Sequence, residues 1–223
     1  MNCERIKVTQ KMYETGIVPV FHHHDIDVCK SIVSCCYDAG IRVFEFTNRG
    51  INAQEVFIEL HKYARHNFKD LILGAGTIMD AATAATYIQY GANFIVSPIV
   101  DQHMAKTCNR RKVAWIPGCS TINEISVAEE LGAEVVKLFP ASMAGGADFI
   151  KMIKGPMPWT SIMATGGIDA EISVIEKWFR AGVHCVGLGS QLFVKDNEGN
   201  FKLPIIKAKI EEITFYINAL KRD

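Results

Sequence analysis

The feature that most constrains this chain is a repeated cadence: a short apolar run, a polar or glycine-rich turn, then a longer amphipathic stretch. Eight apolar runs occur, at Gly16–Phe21, Ile41–Phe46, Leu71–Ala75, Phe94–Ser97, Val113–Ile116, Glu134–Leu138, Ser161–Ala164 and His184–Leu188. The stretches between them, Ile26–Ala39, Ala53–Arg65, Ala81–Tyr90, Gln102–Arg110, Ile122–Leu131, Ala147–Lys154 and Glu171–Ala181, have helical character. Glycine follows several of them at Gly40, Gly91, Gly132 and Gly182, the mark of a capped helix leading into a strand. Strand alternating with helix predicts a parallel sheet. Eight such units in 223 residues favour a closed (β/α)8 TIM barrel over an open doubly wound sheet. No linker interrupts the pattern, so residues 1–223 are expected to form a single domain. Its N-terminal helix, within 1–15, is expected to cover the barrel bottom. The last segment, 201–223, contains a closing helix over Leu203–Leu220 that tolerates Pro204 in its first turn.

Composition narrows the function classes. Lys+Arg and Asp+Glu are both 24, and this zero net charge argues against a nucleic-acid partner. The apolar runs fall short of the roughly 18 residues that a membrane helix needs. Met1–Glu14 is polar and of mixed charge, unlike a signal peptide, so a cytoplasmic protein without a membrane partner is expected. The seven cysteines are odd in number and scattered, which suits reduced, buried thiols.

The sixth run holds a lysine in apolar company. Alternation puts Val135, Lys137 and Phe139 on one face and Val136 and Leu138 on the other. An ammonium there is poorly solvated, which lowers its pKa and frees it to attack a ketone. In a barrel, reactive groups collect at the C-terminal strand ends. The second run ends Phe44-Glu45-Phe46-Thr47-Asn48-Arg49, with Glu45 and Thr47 inward. Glu45 either fills the barrel as an ion pair with Arg49 or Lys137, or serves as a general acid/base, and both can hold. Arg49 is either a solvated rim cation or a planar fork for a carboxylate. The third run ends Gly74-Ala75-Gly76-Thr77, where small residues let a ligand approach the backbone. The fifth ends Pro117-Gly118-Cys119-Ser120-Thr121, read as a tight polar turn. The seventh and eighth end Thr165-Gly166-Gly167 and Gly187-Leu188-Gly189-Ser190. Paired glycine-rich turns after these strands suit a phosphate held by backbone N–H groups and a helix N-terminus. His22-His23-His24 raises a metal, but alternation sends His23 away from His22 and His24, so no metal site is expected.

These motifs, with Glu124 and Lys137-Leu138-Phe139-Pro140-Ala141, resemble those of the class I aldolases for 2-keto-3-deoxy-6-phosphogluconate (KDPG) and 4-hydroxy-2-oxoglutarate (KHG). The resemblance runs from about Gly16 to Phe193. It implies a cofactor-free, metal-free carbon–carbon lyase acting on a keto acid or sugar phosphate, assembled as a homotrimer of barrels. It also implies roles: Lys137 forms the Schiff base and Glu45 is the acid/base. Arg49 and Thr77 hold the pyruvate carboxylate, Phe139 packs beside the lysine, and Thr165 lines the site. Gly166, Gly167, Gly189 and Ser190 bind phosphate. The chain departs from the usual pattern at His22–His24, at Ile122 in place of proline and at Ala164 after Met163. Three alternatives stay open. One is the aldolase for the galactonate epimer, less favoured because Arg49 follows Thr47-Asn48. The second is a metal-dependent sugar-phosphate epimerase using the histidines. The third is a barrel that only binds its ligand.

Overall fold

A computed structural model describes residues 5–221. Residues 1–4 of the expected N-terminal helix and 222–223 of the C-terminal segment lie outside the described residues. The strands are β1 (Ile17–Phe21), β2 (Val43–Thr47), β3 (Ile72–Gly76), β4 (Phe94–Val96), β5 (Ala114–Ile116), β6 (Gly118–Cys119), β7 (Val136–Leu138), β8 (Ile162–Thr165) and β9 (Cys185–Leu188). The helices are α1 (Arg5–Thr15), α2 (Ile26–Asp38), α3 (Ala53–Asn67), α4 (Ala81–Gln89), α5 (Gln102–Arg111), α6 (Ile122–Glu130), α7 (Gly146–Ile153), α8 (Ile172–Arg180) and α9 (Leu203–Leu220). All strand pairs are parallel, in the order β5-β4-β3-β2-β1-β9-β8-β7-β6. The expected barrel is present.

One strand differs from the sequence reading. Gly118 and Cys119, read as part of a turn, are extended and pair with Lys137 and Leu138. β5 and β6 are two halves of the fifth barrel strand, divided at Pro117. Proline has no N–H for the ladder, so the strand changes partners there. Ile116 pairs back to Val96, while the Pro117 carbonyl accepts from the Lys137 N–H at 2.8 Å. The ring is thereby closed along the chain itself. Gly118 fits because a Cβ there would stand 2.4 Å from the backbone of Pro98.

Alternation along the strands sorts the core into two shells. Phe44, Phe46, Leu73, Ala75, Val136 and Leu138 face the helices, and Val43, Ile72, Phe94, Val135, Met163 and Cys185 fill the barrel. Burial of each large apolar side chain contributes about 1.5–3 kcal/mol. Val8 and Met12 of α1 belong to the inner shell, so this helix plugs the bottom. Gly40, Gly91, Gly132 and Gly182, which end helices before a strand, all take positive φ. At the mouth, α6 starts with a capping box: Thr121 accepts from the Glu124 N–H, and Glu124 accepts from the N–H groups of Ser120 and Thr121. Glu124 is thus committed to its helix start. The six described cysteines are buried free thiols, and burial pushes Cys29, Cys108, Cys119 and Cys185 up to about 12.

The plug has a pH-sensitive fastening. His184 Nε2 lies 2.9 Å from the Thr9 carbonyl of α1, and burial lowers the ring's pKa below its ordinary 6.5. The folded protein therefore holds the ring neutral, and the unfolded chain protonates first. Its contribution to stability is complete above about pH 6.5 and is lost as pH falls below it. The wild type is expected to lose more thermal stability between pH 7 and 5 than His184→Gln. Equal losses in differential scanning calorimetry would discount this fastening.

Candidate active site

The inward residues at the strand ends meet where the sequence placed them. Lys137 on β7 is only 6% exposed, and Glu45 on β2 is fully buried. Lys137 Nζ stands 4.0 Å from Glu45 Oε1 and 4.8 Å from the centre of the Phe139 ring. The ring face favours the cation. Neither carboxylate oxygen of Glu45 has a hydrogen-bond partner. Burial raises its pKa, while Lys137 and then Arg49 pull it back down. A buried carboxylate with no donor is costly as a purely structural group. Such a pair is chemically able to exchange a proton with a group that enters the site.

Glycine makes this arrangement possible. A Cβ on Gly76 would lie 1.8 Å from Glu45 Oε1, and one on Gly74 would lie 2.4 Å from the Phe94 ring. These small residues, read from sequence as room for a ligand, make room for the protein's own carboxylate and core. Gly76→Ala is expected to shift Glu45 and lower turnover by about 10²-fold, the cost of misplacing a reactive group by an ångström. It should also cost about 1–3 kcal/mol from overpacking. Unchanged turnover in the purified variant would separate Gly76 from Glu45.

The Arg49 side chain is exposed at the rim and makes no hydrogen bond or ion pair among the described residues. Asn48, between Thr47 and Arg49, turns outward and accepts from the Tyr87 hydroxyl at 2.8 Å. Thr77, just after β3, takes the left-handed region at φ 58°, strain of the kind that gathers at functional sites. Thr165 is 6% exposed, and its hydroxyl is buried without a partner. Gly187, its register partner, leaves it space: a Cβ there would lie 2.2 Å from Thr165 Oγ1. Gly166 and Gly167 take positive φ, and a Cβ on Gly166 would lie 3.2 Å from Phe139. The N–H groups of Gly166, Gly167, Gly189 and Ser190 find no acceptor among the described residues. Four free donors on two turns are the kind of groups an anion needs. After β9 the chain makes a turn and a short hairpin bridged at Lys195 and Phe201 before α9.

The histidines separate, and β1 ends at Phe21, before them. His22 directly follows the C-terminal end of β1 and is exposed, and its partial burial and then Arg49 lower its pKa. His23 stacks on Phe21 and His24 and meets Phe201 edge-on. Among the described residues, no group of three His, Cys, Asp or Glu side chains could hold a metal ion. The ligand set needed by the epimerase alternative is not assembled. One inward residue, Thr47, was not given a role from sequence. Its signal was there, since it shares the face of Glu45 two residues on.

The site sets a buried lysine 4.0 Å from a buried carboxylate at the C-terminal ends of parallel barrel strands, a pairing able to do amine and acid–base chemistry. Comparison with known proteins narrows this further. A family model described as "Aldolase: KDPG and KHG aldolase" matches residues 8–206, and the chain belongs to that family. It is 32% identical over 189 residues to a 2-dehydro-3-deoxy-phosphogluconate aldolase of Pseudoalteromonas atlantica, spanning 84% of this chain and 85% of the relative. It is 29% identical to the KHG/KDPG aldolase of Escherichia coli, spanning 72% and 74%. The crystal structure of the 2-keto-3-deoxy-6-phosphogluconate aldolase of Zymomonas mobilis superposes with a TM-score of 0.83 at 25% identity, covering 95% of this chain and 97% of the other.

Proposed function

We propose that this protein is a class I aldolase. It cleaves 2-dehydro-3-deoxy-6-phosphogluconate to pyruvate and glyceraldehyde 3-phosphate, and 4-hydroxy-2-oxoglutarate to pyruvate and glyoxylate. The observation that carries this reading is the Lys137–Glu45 pair, 4.0 Å apart, buried and short of hydrogen bonds. In this reading Lys137 Nζ adds to the C2 ketone and loses water to form an iminium. The iminium draws the C3–C4 electron pair into an enamine as Glu45 takes the proton of the C4 hydroxyl, and the aldehyde leaves. Glu45 returns the proton to C3, and water hydrolyses the pyruvate imine. Arg49 and Thr77 hold the carboxylate. Phe139 shields the imine, Thr165 contacts the chain hydroxyls, and the N–H groups of Gly166, Gly167, Gly189 and Ser190 hold the phosphate.

Residues 1–223 form one barrel domain in this reading, and the enzyme works as a cytoplasmic homotrimer. The exposure of Met152 in α7 and of Trp159 shortly after it supports an assembly. No helix among the described residues is long and apolar enough to cross a membrane.

The test is pyruvate release from each substrate, followed with lactate dehydrogenase. Release from neither would overturn the proposal. The phosphate cradle has its own test. Ser190→Asp adds an anion to the turn and is expected to raise KM for the phosphorylated substrate at least about tenfold, roughly 1.4 kcal/mol. KM for 4-hydroxy-2-oxoglutarate should change far less. Equal effects on both would remove the cradle assignment.

A further inference from the structure

The sealed carboxylate poses a problem of proton traffic. Glu45 is 0% exposed, closed on one side by Gly76 and on another by Lys137, yet the proposed reaction moves a proton to it and back. Thr47 is the next inward residue on β2, and register sets it beside Gly76. It is 3% exposed, and its hydroxyl makes no hydrogen bond among the described residues. Its orientation is pinned from both sides. Phe46 before it packs into the outer core, and Asn48 after it is held outward by Tyr87. Two residues along a strand span about 6.7 Å. The longer glutamate side chain shortens that gap toward the length of one water-bridged contact between carboxylate and hydroxyl.

We propose that Thr47 is a positioning residue that fixes a bridging water between Glu45 and the reacting carbons. This rests on the aldolase reading above. In cleavage, the C4 hydroxyl gives its proton to the water, and the water gives one of its own to Glu45. The C3–C4 pair passes into the enamine, and the water is unchanged. In the second half, Glu45 returns its proton through the same water to C3. Thr47 gains and loses nothing; its hydroxyl holds the water's oxygen in line. A hydroxyl with no hydrogen-bond partner, on the same strand face as the carboxylate, is free to hold a water.

The experiment compares Thr47→Val, nearly isosteric but without the hydroxyl, with Thr47→Ser. The readouts are aldol cleavage, deuterium uptake into the methyl group of pyruvate, and borohydride trapping of pyruvate on Lys137. Thr47→Val should lose about 100-fold in both cleavage and deuterium uptake, the scale of impaired acid–base catalysis. Trapping should stay at the wild-type level, and Thr47→Ser should recover most of the proton transfer. Deuterium uptake at the wild-type rate in Thr47→Val would overturn the proposal alone. So would a parallel loss of trapping, which would make Thr47 a structural or carboxylate-holding residue. Absence of trapping in the wild type would overturn the aldolase reading and this proposal with it.

Discussion

Lys137→Ala is expected to lose at least about 10³-fold in aldol cleavage, because the covalent route disappears with its nucleophile. The fold should survive. Without the lysine charge, Glu45 loses the larger of its two sources of charge stabilisation, and its raised pKa rises further. The carboxyl then stays protonated and avoids burying an unpaired charge. Val136 and Leu138, on the opposite face of β7, keep the strand packed against the helices. The check is kcat/KM by pyruvate release, with circular dichroism to confirm folding. A rate within tenfold of wild type would place the chemistry elsewhere.

Glu45→Gln should lower turnover by about 10²–10⁴-fold, the range for removing a positioned acid/base. It keeps the shape beside Gly76 and cannot accept a proton. Lys137 should still form its adduct with pyruvate, so binding and proton transfer come apart. The wild-type pH profile carries the same signature. Because burial raises the Glu45 pKa above its ordinary 4.5, the base is lost to protonation at a higher pH than an ordinary carboxylate. The rate should therefore fall with decreasing pH through a midpoint above 4.5. Glu45→Gln should lack this limb. A variant with the same acid limb would assign it to another group.

Most of the barrel was legible because its signals are local. Period-2 alternation assigned Phe44 and Phe46 to the helix side and Glu45 and Lys137 to the inside, and the two core shells follow that division. The glycines that end helices are equally local. What stayed hidden depends on distant partners. The change of partners at Pro117 requires knowing that β4 and β7 flank the fifth strand. The purpose of Gly76 becomes visible only when Glu45 is seen against it. His23 packs on Phe201 from the hairpin after β9, a contact with no trace in its own neighbourhood. Thr47 shows the opposite case. Its inward direction was readable, but that its hydroxyl has no hydrogen-bond partner among the described residues emerges only from the packed structure.

The central claim is imine chemistry at Lys137, and the most direct measurement is reductive trapping. Incubation with pyruvate and borohydride, then intact mass and peptide mapping, should give one reduced pyruvate adduct on the peptide containing Lys137. Folded protein that gains no mass, or that carries the adduct on another lysine, would contradict the account.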